Sequence, residues 1–297
     1  MNFIKAEGLS EKQVNDIARL EEICGSYEEL HMKMNWDMLK SRPPQQNNDF
    51  LCYDGEQLVG FLGLYDIEGQ RREIELTGLV HPQYRRRGIF KALFESARQK
   101  CTAMKAERML LVSERSKLPA AGFAASVGAV YFSSEYKMLF DDVSVPSFPG
   151  AGIKLRAARP QDVRELGKLD KVCFGYGGDG GDDPDAGVET NIDAETNIGA
   201  YDTTLVAELE QNLIGKIGLM KENGEGYIFG FGVVPELRGR GYGREILSLA
   251  LSGLLSEGIK EVLLEVAVKN ERALLLYKAC GFREISVYDY HLLEVSK

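Results

Sequence analysis

The sequence has few of the side chains that build metal sites or disulfides. Its three histidines, His31, His81 and His291, are far apart, and its five cysteines are odd in number and never spaced as Cys-x-x-Cys. These spacings match no common zinc-ligand pattern and do not indicate a disulfide framework. We therefore expect no metal, and reduced structural thiols of the kind found in the cytoplasm.

Long apolar runs are also missing. No stretch approaches the ~20 residues that cross a bilayer, and the first seven residues lack the basic patch and apolar stretch of a signal peptide. The 297 residues carry 36 basic against 45 acidic side chains, a net charge of −9, which argues against a nucleic-acid partner. We expect a cytoplasmic protein with no membrane partner, long enough for two domains.

The chain contains an internal repeat. Val80-His81-Pro82-Gln83-Tyr84-Arg85-Arg86-Arg87-Gly88 parallels Val233-Val234-Pro235-Glu236-Leu237-Arg238-Gly239-Arg240-Gly241 at an offset of 153 residues. Gly128-Ala129 matches Gly281-Phe282 at the same offset. Matches in the same order at one spacing indicate two copies of one domain.

A linker separates the two copies. The stretch 141–152 has no hydrophobic periodicity and contains two prolines and two glycines, as is typical of a linker. We predict one domain at 1–145 and a second at 153–297.

The second copy alternates between strand and helix patterns. Strands are expected near 154–156, 204–208, 213–220, 227–234, 261–268 and 286–293, and helices from about 161, over 241–257 and over 271–280. Hairpins followed by a strand–helix–strand crossover predict an α+β fold with a mixed sheet.

The segment Arg238-Gly239-Arg240-Gly241-Tyr242-Gly243 lies between a predicted strand and a predicted helix. Glycines allow close approach of a ligand, and the unpaired amides of a helix start bind anions. The arginines suit a phosphate, so a pyrophosphate is the expected ligand. The spacing is neither that of a Rossmann fingerprint nor that of a Walker loop, and a plain glycine-rich turn with solvated arginines is the alternative.

Two motifs of the second copy together resemble the GCN5-related N-acetyltransferases (GNAT). Val233-x-Pro235-x-x-Arg238-x-x-Gly241-x-Gly243 is similar to the family's acetyl-CoA motif, and Leu264 to Phe282 is similar to its second signature. The first copy resembles the family more weakly. The resemblance implies two tandem GNAT-like acyl-CoA N-acyltransferase domains, with acetyl-CoA as co-substrate.

The resemblance also implies which residues bind acetyl-CoA. Strand main-chain groups would contact the pantetheine arm and acetyl carbonyl, the loop would hold the pyrophosphate, and Asn270 would contact the cofactor, although Asn is equally natural as a helix cap. The implied residues are Phe231, Gly232, Val233, Arg238, Gly239, Arg240, Gly241, Tyr242, Gly243, Arg244 and Asn270.

Two further residues match catalytic positions of the family. Tyr277 corresponds to the tyrosine that protonates the departing thiolate, and Glu265 to a glutamate that serves as base. Tyr277 could instead be a core aromatic, and Glu265 a solvent-facing strand residue. Glu208, Glu225 or a bound water are the alternative bases.

The first copy departs from the pattern. Phe90 stands where the last loop glycine is expected, Ala124 stands opposite Tyr277, and Lys117 stands opposite Asn270. Because Ala124 cannot donate a proton, we expect no acetyl transfer there.

The acceptor is expected to be an amine. The segment 173–215 lacks Lys and Arg, and its Asp182, Asp183 and Asp185 would attract a cationic amine, although a solvated loop is an equal alternative. The function expected is therefore transfer of acetyl to a primary amine of a cationic small molecule or peptide by direct attack in a ternary complex. The alternative is a non-catalytic acyl-CoA-binding sensor or assembly module.

Overall fold

We describe the protein from a computed structural model. The description covers residues 1–43, 45–66, 72–142, 145, 148, 150, 152–174, 202–222 and 224–295. The chain divides into two compact units. The first unit comprises Met1–Ser133 with Tyr288–Lys297, and the second comprises Ser134–Val287.

The first unit contains a six-stranded mixed sheet. In sheet order its strands are β1, β2, β3, β4, β5 and the end of β12. Strands β4 and β5 pair in parallel, and the other pairs are antiparallel. The elements are β1 (Asn2–Ala6), α1 (Glu11–Glu28), α2 (Trp36–Lys40), β2 (Asp49–Asp54), β3 (Gln57–Tyr65), β4 (Glu73–Val80), α3 (Ile89–Ala103), β5 (Arg108–Glu114) and α4 (Leu118–Ser126).

The second unit repeats this arrangement. In sheet order its strands are β6, β11, β10, β9, β8 and β7, and only β10 and β11 of these pair in parallel. The elements are β6 (Val130–Phe140), β7 (Lys154–Ala157), α5 (Val163–Phe174), β8 (Thr204–Leu209), β9 (Asn212–Glu222), β10 (Glu225–Val233), α6 (Tyr242–Ser256), β11 (Glu261–Ala267), α7 (Glu271–Ala279) and β12 (Arg283–Glu294). The predicted α+β fold with a mixed sheet is confirmed.

The two repeats exchange their last strands. Most of β6, which ends the first repeat, pairs with β11 of the second unit, and the end of β12 pairs with β5 of the first unit. Each exchanged strand supplies the backbone partners that the outer edge of β5 or β11 requires. The repeats predicted at 1–145 and 153–297 therefore divide the chain at other points than the compact units do.

Helices α6 and α7 pack on one face of the second unit's sheet. The apolar residues of α6, among them Ile246, Ala250 and Leu254, share one core with Val262 and Leu264 of β11. Helix α6 ends before Gly258, whose φ of 87° is the left-handed conformation that glycine favours at such an end. This packing fixes the start of α6 beside the end of β10.

All five cysteines are free and buried. Among the described residues, no helix combines the length and the apolar character that a membrane span requires. No group of three or more His, Cys, Asp or Glu side chains in the described part of the chain could hold a metal ion.

Candidate functional site

Strands β10 and β11 separate partway along their length. They pair in parallel from Glu225 and Glu261 as far as Ile228 and Leu264, and no further. At the point of separation β10 carries a β-bulge, between Phe229 and Gly232, where Gly230 has a φ of 52°. The bulge and the lost pairing create an opening in the second unit's sheet, and bulges often lie at such functional positions.

The end of β10 presents main-chain groups to this opening. Val233 lies opposite Gly215 of β9, while the next residue, Val234, donates its N–H to the Ile214 carbonyl at 3.0 Å. The pair Val234–Ile214 is thus hydrogen-bonded. Because hydrogen-bonded and non-hydrogen-bonded pairs alternate in an antiparallel ladder, the pair Val233–Gly215 is not, and the N–H and C=O of Val233 point away from β9. They therefore point to the side of the opening.

The glycine-rich loop connects the end of β10 to α6. Gly239 and Gly241 have φ values of 77° and 88°, and a Cβ at either would touch nothing within 4 Å. Glycine is thus favoured by the backbone conformation and not by crowding. Gly241 is the N-cap of α6 and supplies no side-chain cap, so the first amides of α6, which have no partner within the helix, face an anion-binding position.

The remaining loop residues surround the same helix start. Arg240 and Arg244 are exposed, and the Arg244 guanidinium lies 5.7 Å from the centre of the Phe148 ring. A Cβ on Gly243 would lie 3.3 Å from Leu276 and 3.8 Å from Phe231. Tyr242 is half-buried and packs against the core.

The Arg238 side chain contacts the end of β10. Its Nε donates to the Val233 carbonyl at 2.9 Å, and the same carbonyl accepts a weaker bond from Cys173 Sγ at 3.4 Å. Burial raises the pKa of the Cys173 thiol, and the neighbouring Arg238 partly opposes this effect. The thiol is therefore a neutral donor at this position.

Tyr277 is placed in the core below the opening. Its ring is 7% exposed and lies 6.3 Å from the Phe231 ring and 5.9 Å from the Phe282 ring, measured between ring centres. Phe231 belongs to the part of β10 beyond the bulge. Tyr277 is thus a core aromatic, which was the alternative to a catalytic role. It is also a neighbour of the strand segment that borders the opening.

Asn270 is the N-cap of α7. Its side chain accepts a hydrogen bond from the Ala273 amide at 2.9 Å, so the helix-cap alternative is observed. This cap uses the side-chain oxygen, and the amide nitrogen of Asn270 is not a part of it.

Glu265 is the first residue of β11 beyond the paired segment. It is exposed, and its neighbours in the strand, Leu264 and Val266, are buried in the core on the opposite face. In the ladder with β6, Glu265 stands opposite Lys137. Its position suits both a base at the opening and a solvent-facing strand residue.

The alternative bases are engaged elsewhere. Glu208 accepts a hydrogen bond from Arg156 Nε at 2.8 Å, and Glu225 accepts one from the Tyr227 hydroxyl at 2.7 Å. Asp182, Asp183 and Asp185 lie outside the described residues.

The corresponding opening of the first unit is built from different side chains. A cavity of about 650 Å³ is lined there by Gly78, Phe90, Lys117, Phe123 and Ala124, among others. The Phe90 ring lies over Gly78, where a Cβ would be 2.8 Å from it, and it meets the Phe123 ring edge-on at 4.7 Å. In the second unit the ring belongs to Phe231 of β10. In the first unit Gly78 of β4 stands at that position, and the ring belongs to Phe90 of α3.

Two features of the site were missed by sequence reasoning. The bulge at Gly230 is one residue that β4 does not have: Leu76 and Ile228 end their paired segments at an offset of 152, while Val80 and Val233 are offset by 153. The extra residue becomes visible only once the strand pairings are known. Cys173 was expected only as a structural thiol. No signal in the single sequence connects it to Val233.

Comparisons with known proteins agree with this geometry. The sequence profile of the acetyltransferase (GNAT) family matches residues 14–129 and 167–282. The mycothiol acetyltransferase of Thermobispora bispora is 29% identical over 253 residues, which cover 80% of each chain.

Solved structures show the same fold. A GCN5-related N-acetyltransferase from Sphaerobacter thermophilus superposes with a TM-score of 0.79 at 18% identity, covering 99% of this chain and 96% of that one. A tandem GNAT protein from the clavulanic acid biosynthesis pathway superposes with a TM-score of 0.71 at 18% identity, covering 100% of this chain and 99% of that one.

The two profile matches together span most of the chain and are offset by the same 153 residues as the internal repeat. The predicted tandem architecture is thereby confirmed. The chain belongs to the acetyltransferase (GNAT) family and is an acetyl-CoA-dependent N-acetyltransferase built from two GNAT repeats.

Proposed function

We propose that the second unit transfers the acetyl group of acetyl-CoA to a primary amine by direct attack in a ternary complex. The observation that carries this proposal is the opening between β10 and β11, which begins at the bulge of β10. Val233 of β10, the start of α6 and the ring of Tyr277 all lie around the β10 side of this opening.

The residues of the loop would bind the cofactor. The amides at the start of α6, from Tyr242 to Arg244, would donate hydrogen bonds to the pyrophosphate, with Arg240 and Arg244 adding positive charge. The main chain of Phe231 to Val233 would contact the pantetheine arm. The amide nitrogen of Asn270, which its helix cap does not use, would donate to the same ligand.

Proton transfers require a base and an acid. An alkylamine with a pKa near ~10 is mostly protonated at neutral pH, so a base must remove its proton before attack. Glu265 would be that base, directly or through water, because it is exposed where β11 leaves β10. The N–H of Val233 would stabilise the oxyanion that develops on the acetyl carbonyl, and the Tyr277 hydroxyl would protonate the departing thiolate.

The acceptor is proposed to be cationic. The predicted acidic segment supports this, and so does Glu265 at the opening.

The experiment is thiol release from acetyl-CoA in the presence of a panel of cationic and neutral amines. Cationic amines should be turned over, and Tyr277→Phe should lower kcat about 100-fold or more, in the range expected for loss of a general acid. The variant keeps the ring and its packing, so its melting temperature should be unchanged.

Tyr84→Phe is the matched control. It removes a hydroxyl that is bonded to Asp54 at 2.9 Å in the first unit, and kcat should not change. Acetyl-CoA binding without turnover of any amine, together with an inert Tyr277→Phe, would instead establish the acyl-CoA sensor.

A further inference from the structure

One contact occurs in both units at the same place on the strand that borders the opening. In the second unit, the Val233 carbonyl accepts from Arg238 Nε at 2.9 Å and from Cys173 Sγ at 3.4 Å. We call this arrangement the carbonyl clamp. It joins the end of β10 to the loop that follows it and to the last turn of α5.

The first unit contains its own carbonyl clamp. The Val80 carbonyl accepts from Arg85 Nε at 3.1 Å and from Cys24 Sγ at 3.6 Å. In both units the arginine follows the valine by five residues, and the cysteine comes from the helix at the start of the repeat. A contact built twice in one chain, from residues far apart in sequence, is a feature of the fold and not an accident of one loop.

The clamped carbonyl is one that the sheet does not use. Val233 belongs to a non-hydrogen-bonded pair with β9, so its C=O and its N–H both point to the side of the opening. A carbonyl oxygen left without donors there would present lone pairs towards the position where an oxyanion has to be stabilised. The clamp occupies those lone pairs and leaves the N–H of the same residue as the donor.

The second unit is adapted to bring the cysteine close. A Cβ at Gly232 would lie 3.0 Å from Cys173 Sγ and 3.1 Å from the ring of Phe174. Only glycine fits between the strand and the end of α5 without displacing them. The first unit has Leu79 at the corresponding position, and its cysteine contact is correspondingly longer.

We propose that Arg238 and Cys173 are positioning residues for acetyl transfer, which fix the Val233 peptide so that its N–H is directed at the acetyl carbonyl. This inference rests on the proposed function of the second unit. It assigns the Nε of Arg238 to the strand, whereas the loop motif alone assigned that side chain to the pyrophosphate. The two assignments predict different kinetics.

The first test replaces Arg238. Arg238→Met removes every donor, and kcat should fall about 10- to 100-fold, somewhat less than for direct loss of an oxyanion donor, while the KM for acetyl-CoA changes less than about 3-fold. Arg238→Gln keeps an N–H donor of similar reach without the charge, so it should recover most of kcat. Arg238→Lys keeps the charge but carries its donor one atom further along the side chain, at Nζ, so it should recover less of kcat than Arg238→Gln.

Arg85→Met is the matched control for folding. It breaks the clamp of the first unit and also the 2.6 Å bond of that arginine to Glu28, so it should destabilise the protein at least as much as Arg238→Met. Its kcat should nevertheless stay at the wild-type value. A kcat loss of the same size in Arg85→Met would show that the clamp acts only through stability and would overturn the proposal.

The second test replaces Cys173. Cys173→Ser keeps a donor and should retain kcat within about 2-fold, while Cys173→Ala should lower kcat less than Arg238→Met, since a thiol is a weak donor. The inference would be refuted if Arg238→Met raised the KM for acetyl-CoA at unchanged kcat, if Arg238→Lys kept the wild-type KM, and if the difference in KM between wild type and Arg238→Met became smaller at high salt. These results would assign Arg238 to the pyrophosphate. Failure of the proposed function itself would be seen separately, as an inert Tyr277→Phe.

Discussion

The two repeats keep the same loop but differ in the strand that leads into it. Arg86 of the first unit has a φ of 64°, and Gly239, 153 residues later, has a φ of 77°; the N-cap glycines Gly88 and Gly241 agree in the same way. In contrast, β4 pairs with β3 without irregularity, whereas β10 carries the bulge at Gly230. The loop conformation is therefore the same in both repeats, and what distinguishes the second is the bulged strand and the phenol of Tyr277.

The difference teaches that ligand geometry and chemistry are separable in this fold. Ala124 is buried where the second repeat has Tyr277, and the Phe90 ring covers Gly78 in place of a ring on the strand. The first unit keeps a cavity at this place but has no tyrosine at the position of Tyr277. Matched changes in the two units are therefore expected to differ in their effects on kcat, on the KM for acetyl-CoA and on stability, in decreasing order of size.

Deletion of Gly230 gives β10 the regular length of β4. Without the bulge, the main chain beyond Phe229 is re-aimed, and kcat should fall about 100-fold, the scale of a lost oxyanion donor. The measurement is steady-state thiol release, with thermal unfolding recorded in parallel. Insertion of a glycine after Thr77 is the counterpart in the first unit and should leave kcat unchanged; equal losses in both would mean that the bulge has no special part in catalysis.

Gly241→Ala and Gly88→Ala form the next pair. Each places a Cβ on a residue with φ near 80°, where no other atom is within 4 Å, so each should cost only the backbone strain of about 1 kcal/mol. In the second unit that strain disturbs the amides at the start of α6, and the KM for acetyl-CoA in turnover should rise about 10-fold, equivalent to ~1.4 kcal/mol. Gly88→Ala should lose the same stability with no change in this KM.

A buried ion pair also distinguishes the first unit. Asp49 is fully buried 3.2 Å from Arg42, and burial, opposed by Arg42, raises the pKa of Asp49 to about 6. The second repeat has no acidic residue at the corresponding position: Asp49 pairs with Gly63 at the start of β2, and Thr204 pairs with Gly218 at the start of β8. Because the folded pKa lies above the unfolded value of ~3.9, the contribution of Asp49 to stability is complete below pH ~4 and is lost as the pH rises through about 6.

Asp49→Asn removes this pH dependence. The difference in unfolding free energy between wild type and variant should shift in favour of the wild type on acidification from pH 7 to 4, by on the order of 1 kcal/mol. Denaturant titrations at the two pH values measure it. A shift of opposite sign for Asp49→Asn would mean that the pair with Arg42 outweighs burial.

Arg86→Gly is expected to have the smallest effect. It replaces a side chain held at a φ of 64° by the residue that the second repeat uses at that position. Relief of the left-handed strain should raise the unfolding free energy by about 0.5–1 kcal/mol. No gain, measured by denaturant titration, would indicate that the arginine side chain offsets its own strain through its contacts.

Much of the second unit was predictable from the sequence. Every described strand and helix from Lys154 onwards lies within a few residues of its predicted position, because hydrophobic periodicity and glycine punctuation are local signals. The conformation of the glycine-rich loop was predictable for the same reason, since Gly239 and Gly241 have the positive φ values that glycine allows.

The remaining features depend on contacts between distant residues. The exchange of β6 and β12 between the repeats cannot be predicted from periodicity, because the hydrophobic pattern of a strand does not indicate which strand it pairs with. The carbonyl clamp joins Cys173 to Val233 across 60 residues and uses a thiol that reads simply as a buried side chain. The structure confirms the helix-cap alternative for Asn270 and the core alternative for Tyr277.

The most direct test of the account is a crystal structure of the protein with acetyl-CoA. The account predicts the pyrophosphate against the amides at the start of α6, the acetyl carbonyl within hydrogen-bond distance of the Val233 N–H, and the sulfur within hydrogen-bond distance of the Tyr277 hydroxyl. A second unit whose loop binds no pyrophosphate, or a Tyr277 hydroxyl directed away from the sulfur, would contradict it.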